Sequence, residues 1–367
     1  MIEFEESLEE SRRQALALPN RGPLVLNGNG SVDHAITDAY WKYGFYVLED
    51  VVSTVEIDDL NSEFQDLLAR SPSSSGATTD SQGRPLEFDE TQRTLFRFAR
   101  PLTDPYGETD VGGGRYQVRM SEPPAPKCSP KEVLLQIGGI LQFLDAALRI
   151  YGHPRLLSLA EAVNGPDFTP FTETMWIKQP RLGAAVSWHQ DGTTHWSNPD
   201  LDQGSHGFNY MLNLRETTPS NALWVIPGSH KHGKANLKQM VKDSGSERLE
   251  GALPMLCKSG DVAICNRQIV HGSFPNTSAD PRYTLVFGFH RRNSVLGVQG
   301  WAKEPFTKEF VETSCRLIDI AIAARQQKYP LEQNYQYKHS TNRYASILED
   351  QPQRIELANY QRYAIGI

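Results

Sequence analysis

Within Ser187-Trp188-His189-Gln190-Asp191-Gly192 an imidazole and a carboxylate stand two residues apart. In a strand, residues i and i+2 project to the same face, so His189 and Asp191 would sit side by side at a strand end. Two histidines and one carboxylate grouped on one face suit Fe(II) and leave adjacent coordination positions open for other ligands. His271 is the candidate third member, 82 residues on, behind the apolar run 262–265 and the segment 266–270. Strands far apart in sequence become neighbours in a jelly roll, so that separation is compatible. Arg282 follows eleven residues later and opens Arg282-Tyr283-Thr284-Leu285-Val286-Phe287. A guanidinium fork there could take a carboxylate with two parallel hydrogen bonds. Thr284, on the same face by alternation, adds a hydroxyl. The chemistry this suggests is a keto acid chelated at a metal, its far carboxylate held by arginine. Singly, each part has an ordinary role: a chance His-x-Asp among 10 histidines, a turn His-Gly, a solvated arginine. Their order within one β-rich stretch is what argues for a site.

From about residue 171 short β-rich runs appear at 172–178, 184–188, 208–214, 222–226, 261–265 and 283–290. Turn residues such as Pro227-Gly228 and Ser259-Gly260 separate them. That pattern predicts a mainly β fold with flanking helices, its core over 170–292 a sandwich or jelly roll. Residues 1–169 are expected to be a mostly helical support and 293–367 a helical extension, best defined over 310–326. In the first region 32–43 reads as a helix stopped by Gly44, followed by the strand-like Phe45-Tyr46-Val47-Leu48. Ser53 and Glu56 form a capping-box pattern, with Ile57, Leu60, Phe64, Leu67 and Leu68 behind it at helical spacing. Residues 133–150 read as one long buried helix despite Gly138-Gly139, and 156–163 as a shorter one. The polar, Ser/Gly-rich segment 71–85 reads as a mobile loop or lid.

On these residues the chain resembles the phytanoyl-CoA dioxygenase-like (PhyH) family of Fe(II)/2-oxoglutarate-dependent oxygenases. The resemblance spans most of the chain to about residue 292. It starts at Tyr43-Gly44-Phe45-Tyr46-Val47-Leu48 and continues through Lys178-Gln179-Pro180 and Gly183 into His189-Gln190-Asp191. Asn221-Ala222-Leu223-Trp224-Val225-Ile226-Pro227-Gly228-Ser229-His230 is similar to the family's N-G-x-L-x-x-x-P-G-S-H segment, with Ala222 where glycine is usual. The last blocks are His271-Gly272-Ser273, Pro275-Asn276 and Arg282-Tyr283-Thr284. With this resemblance the core over 170–292 is expected to be a double-stranded β-helix (jelly roll, cupin-like). The resemblance also implies His189, Asp191 and His271 as Fe(II) ligands, and Arg282 with Thr284 at the distal carboxylate of 2-oxoglutarate. O2 would be the second cosubstrate. It implies decarboxylation to succinate and CO2, coupled to hydroxylation, desaturation or ring formation on a small organic substrate. A specialised metabolite is preferred, with an acyl-CoA as the alternative. Halogenating relatives carry Ala or Gly where this chain has Asp191, so oxygenation is expected. The rivals are a catalytically silent jelly-roll binding or regulatory protein and a cupin-like metalloenzyme that needs no keto acid.

Further residues are placed more loosely. Either Asn209 or Tyr210 could face the cosubstrate, with Asn209 favoured, and His195 and Trp196 could line the substrate pocket. His230, His232 and Trp224 are expected to be structural. That pocket is expected from the N-terminal segment, 71–85, 192–207 and the C-terminal tail. A net charge of −7 gives no general attraction to nucleic acid or an anionic membrane. The longest apolar runs fall short of the ~20 residues a membrane span needs. The acidic N-terminus lacks a signal-like apolar stretch, and Cys128, Cys257, Cys265 and Cys315 show no CxxC spacing, which suggests reduced thiols in the cytoplasm. The expected partner is a small-molecule substrate; the oligomeric state stays open.

Overall fold

Alternation along the central strands sorts their side chains into two layers, one meeting helices and the other facing a second sheet. The computed structural model describes residues 2–191, 207–298, 305–340 and 357. Its strands are β1 (Arg21–Pro23), β2 (Phe45–Glu49), β3 (Phe96–Ala99), β4 (Val133–Gly138), β5 (Phe168–Lys178), β6 (Val186–His189), β7 (Gly207–Asn213), β8 (Trp224–Val225), β9 (Leu253–Pro254), β10 (Val262–Asn266), β11 (His271–Ser273) and β12 (Arg282–Arg291). The larger sheet runs β1-β2-β10-β7-β12-β5-β4-β3 and the smaller β6-β11-β8-β9. The larger sheet is thus not confined to 170–292, since four of its strands come from earlier residues. All its pairings are antiparallel except β1 with β2.

On β7 and β12, Tyr210, Leu212, Leu285, Phe287 and Phe289 join the main core. Helices α1 (Ile2–Ala17), α2 (His34–Tyr43), α3 (Thr54–Ala69), α4 (Asp145–Tyr151), α5 (Pro154–Asn164), α6 (Leu237–Ser244) and α7 (Lys308–Lys328) flank the sheets, and α2 to α5 with α7 supply Tyr40, Phe64, Tyr151, Leu156 and Ile318 to that core. The intervening residues Asn209, Met211, Asn213, Thr284 and Val286 turn the other way, into a cavity between the sheets. Gly288 sits opposite Asn209. A Cβ there would lie 2.4 Å from the Phe208 carbonyl and 2.7 Å from Asn209 Oδ1, so glycine is what lets the Asn209 side chain lie across β12.

The capping box of α3 forms as expected, with Ser53 and Glu56 bonded reciprocally, and α2 ends in a left-handed Gly44. The single helix expected over 133–150 does not form. Val133–Gly138 is strand β4, paired with β3 and β5, Gly139 turns the chain at φ 60° into a single 3-10 turn at Ile140–Gln142, and only Asp145–Tyr151 is α-helical. A short apolar run buried on both faces has no periodicity to separate strand from helix; the paired glycines marked the break. Segment 71–85 is folded on itself by hydrogen bonds such as Ser73 N to the Thr79 carbonyl and an ion pair between Arg84 and Asp80.

A buried cation ties the helical layer together. Arg325 of α7 donates through Nη1 to Glu56 Oε1 of α3 at 2.7 Å and through Nη2 to Glu332 Oε1 at 2.9 Å. Removing one partner of such a pair strands a buried charge, at a cost of about 3–5 kcal/mol. Arg325→Ala should lower urea stability by about that much, and the Glu56→Gln/Arg325→Met double variant should recover part of it.

Candidate metal centre and the cavity around it

His189 ends β6 and His271 begins β11, and the antiparallel register sets them directly opposite each other, ring centres 4.1 Å apart. Each ring is oriented by the backbone two residues before it: Nδ1 of His189 meets the Ser187 carbonyl at 2.8 Å, and Nδ1 of His271 the Ile269 carbonyl at 2.9 Å. A carbonyl only accepts, so Nδ1 carries the hydrogen and each Nε2 lone pair is free for a metal. Those Nε2 atoms lie 3.6 Å from Asp191 Oδ1 and 3.9 Å from Asp191 Oδ2 respectively. All three ligand atoms fall within 4.8 Å of one another, and among the described residues no other trio of His, Cys, Asp or Glu does so.

The electrostatics suit a divalent cation. Burial drives both imidazole pKa values down, holding the rings neutral. Burial pushes the Asp191 carboxyl up, but positive neighbours, Arg115 foremost, outweigh it and keep it well below the usual range. Two neutral imidazoles and one carboxylate are the donor set a hard-to-borderline metal such as Fe(II) takes. Gln190, between the ligands, points away: its amide donates to the carbonyls of Gly233 and Gln268 and accepts from Ala235 N, fixing the strand end.

Arg282 opens β12 and is buried in the same cavity. Its Nη1 donates to the Asn221 carbonyl at 3.0 Å, while Nε is buried without a hydrogen-bond partner. Burial brings its pKa down to about 10. A buried guanidinium with an unused donor is a costly arrangement unless an anion joins it. Nearby, Thr284 Oγ1 donates to Asn213 Oδ1 at 2.9 Å, and Ser273 Oγ of the smaller sheet, which also lines the cavity, is buried without a partner. Trp176, Val186, Met211, Leu223, Met255 and Val286 complete an apolar lining.

Asn209 does face the cavity, whereas Tyr210 is in the core and bonds the Leu156 carbonyl. Asn209 Nδ2 donates to Asp191 Oδ2 at 3.0 Å, leaving Oδ1 buried and unpaired. His195 and Trp196 lie outside the described residues. His230 bonds the Trp41 carbonyl at 3.0 Å and Trp224 donates to the Pro219 carbonyl; both serve the scaffold. The residues that sequence reasoning missed are Arg115 and Tyr116, which line the cavity, and Arg267, which acts on Asp191. None of the cavity lining comes from 71–85 among the described residues. The only sequence signal for Arg115 was the glycine triplet before it.

Comparison with known proteins agrees with this geometry. Residues 137–284, which hold all three candidate ligands and Arg282, match the family model Phytanoyl-CoA dioxygenase (PhyH). This stretch is similar to the phytanoyl-CoA dioxygenase family. Its relatives include phytanoyl-CoA dioxygenase 1 of Oryza sativa subsp. japonica, 34% identical over 145 residues, covering 36% of this chain and 47% of that protein. L-proline trans-4-hydroxylase of Streptomyces griseoviridis is 28% identical over 177 residues, covering 42% and 66%. The chain therefore spans about half to two thirds of these two relatives. The phytanoyl-CoA dioxygenase of Arabidopsis thaliana is 24% identical over 75% of this chain and 93% of its own. The solved EctD from S. alaskensis with 2-oxoglutarate and 5-hydroxyectoine shares the fold, at TM-score 0.50 and 20% identity over 79% of this chain and 85% of that one.

At this centre, Co(II) binding followed by visible absorption should be abolished in His189→Ala and Asp191→Ala. Asn209→Leu removes an outer-shell contact and should weaken binding by about 10–100-fold, whereas Arg282→Ala, which touches no ligand, should leave it intact.

Proposed function

We propose that this protein is a non-haem Fe(II)- and 2-oxoglutarate-dependent dioxygenase that oxidises a small organic molecule. The observation that carries the reading is a histidine–aspartate–histidine trio and a buried, under-bonded Arg282 lining one cavity. Iron with 2-oxoglutarate and O2 would supply the oxidising power, yielding succinate, CO2 and, for hydroxylation, one oxygen atom inserted into a C–H bond.

The protein's own part is positioning and charge. His189, Asp191 and His271 would hold the metal from one side. Arg282 would pair with the distal carboxylate of the keto acid, with the Thr284 hydroxyl beside it, so that the acid can lie only one way round in the cavity. Asn209 keeps the Asp191 carboxylate from rotating. The walls formed by Trp176, Met211, Leu223, Met255 and Val286 exclude water, which strengthens each of these charge contacts.

We further infer hydroxylation of a specialised metabolite. Kinship with a proline hydroxylase supports a small-molecule substrate, and the carboxylate at Asp191 supports oxygenation. No described helix is long and apolar enough to cross a membrane. The four cysteines are all free thiols, which fits a reducing, cytoplasmic setting.

The test is succinate formation from 2-oxoglutarate with Fe(II), with and without candidate substrates. Turnover should vanish in His189→Ala. Arg282→Gln should raise the KM for 2-oxoglutarate about 30-fold or more, from the ~2–5 kcal/mol that truncating one side of a buried charge pair costs. An unchanged KM in that variant would remove the cosubstrate assignment and favour a metalloenzyme that needs no keto acid.

A further inference from the structure

Between β3 and β4 the chain leaves the sheets, and one buried carboxylate holds the course it takes. Asp104 is fully buried and accepts four hydrogen bonds from three pieces of chain. Its Oδ1 takes Gly107 N at 3.0 Å, Tyr106 N at 3.3 Å and Ser187 Oγ at 3.2 Å, and its Oδ2 takes Met120 N at 2.9 Å. A carboxylate this deep needs its lone pairs filled, and filling them closes residues 104–120 into a loop. Arg119 ties the same neck, donating to the carbonyls of Asp104 at 3.2 Å and Gly107 at 2.7 Å. A Cβ on Gly107 would collide with the Asp104 carboxylate and lie 2.7 Å from the Arg119 Cα, so glycine is what lets the neck close.

The closed loop is strained. Leu102 and Glu108 stand at φ 58° and 57°, and Gly112, Gly113 and Gly114 at 62°, 69° and 74°. Left-handed backbone is unfavourable for leucine and glutamate. Strain of this kind persists where the surrounding structure over-determines it, and it gathers at functional sites.

The loop brings Arg115 and Tyr116 against the metal ligands. Arg115 Nη1 lies 2.9 Å from Asp191 Oδ1, and Nη2 is 3.0 Å from the Tyr116 hydroxyl. Tyr116 tilts against the His189 ring at 4.7 Å and stacks on Tyr106 at 5.1 Å. Gln117, next along, donates to the Ala235 carbonyl and accepts from Leu237 N, both at 3.0 Å. Gln190 grips that same segment through Ala235 N.

Asp104 therefore reaches His189 by two routes. It binds the hydroxyl of Ser187, whose carbonyl accepts His189 Nδ1–H. Through the closed loop it also sets Tyr116 against the face of the same ring. His271 is oriented instead by the Ile269 carbonyl.

We propose that Asp104 is a positioning residue of the metal centre, fixing where the His189 ring sits by knotting residues 104–120 to Ser187. It acts at one remove from the ligands. Which nitrogen carries the hydrogen does not depend on it, because the Ser187 carbonyl sets that. The inference rests on the dioxygenase reading and deepens its metal site.

The full-length, metal-free protein is labelled at its histidine nitrogens, and solvent exchange of the two ring Nδ1–H groups is followed by NMR. Loss of a signal in His189→Ala or His271→Ala assigns each. Asp104→Asn sets an amide donor against donors already in place, so the His189 proton should exchange about tenfold faster or more, the worth of a hydrogen bond to a charged group. The His271 proton should change by less than about threefold. Co(II) binding, followed by visible absorption, should weaken about tenfold in the same variant. Ser187→Ala leaves the loop closed and cuts one route, so it should speed His189 exchange about threefold. With both routes cut, in Ser187→Ala/Tyr116→Leu, adding Asp104→Asn should change Co(II) affinity by less than about threefold. An unchanged His189 signal, both signals accelerating alike, or an Asp104→Asn loss of full size in the doubly cut protein would overturn the inference. None of these outcomes touches the dioxygenase reading. Wild-type protein that takes up no Co(II) would overturn that reading, while exchange in the metal-free protein still decides the role of Asp104.

Discussion

The pairing of β6 with β11 is the constraint on which the site depends. It sets His271 opposite His189, and every other feature of the centre is arranged around that pair. Asp191 follows within two residues on the same strand end, and Gln190 pins that end to the carbonyls of Gly233 and Gln268. The larger sheet then faces the pair with alternate residues of β5, β7 and β12. Its opposite face is sealed by helices whose apolar side chains lock the strands in place. A slip of one residue in β12 would turn Arg282 and Thr284 away from the cavity and bring in Tyr283 and Leu285. The core residues Leu285, Phe287 and Phe289 thus hold the Arg282 end of the cavity as firmly as any polar contact within it.

Much of the centre was legible in the sequence because its signals were local. His189-Gln190-Asp191 declared a strand end, and Arg282 and Thr284 kept the alternation of a strand. The strand texture of residues 171–290 gave the fold class. What could not be read followed from non-local packing. Residues 133–138 are apolar whether they form a strand or a helix, and only partners at β3 and β5 decide between them. Asn209 and Tyr210 were a choice of face, settled by the opposing Gly288 and by the core around Tyr210.

Arg115 is the clearest case of information absent from local pattern. It lies 76 residues before Asp191 in a stretch with no regular element of useful length, and nothing in its neighbourhood names a partner. Glycines at 112–114 announce an unusual backbone but not where the next side chain will go. Only the folded chain brings the guanidinium to a carboxylate and an aromatic pair.

The two ring hydrogen bonds that fix the histidines come from carbonyls only two residues upstream, Ser187 and Ile269. The tautomer of each ligand is thereby a property of its own short piece of chain and not a loan from a distant side chain. Neighbouring positions on β5, β7 and the Arg115 loop can drift during evolution without disturbing which nitrogen each ring offers. A centre wired in this self-contained way can be kept while the surrounding walls are rewritten for new molecules, and diversification of substrate then needs no re-invention of the metal set.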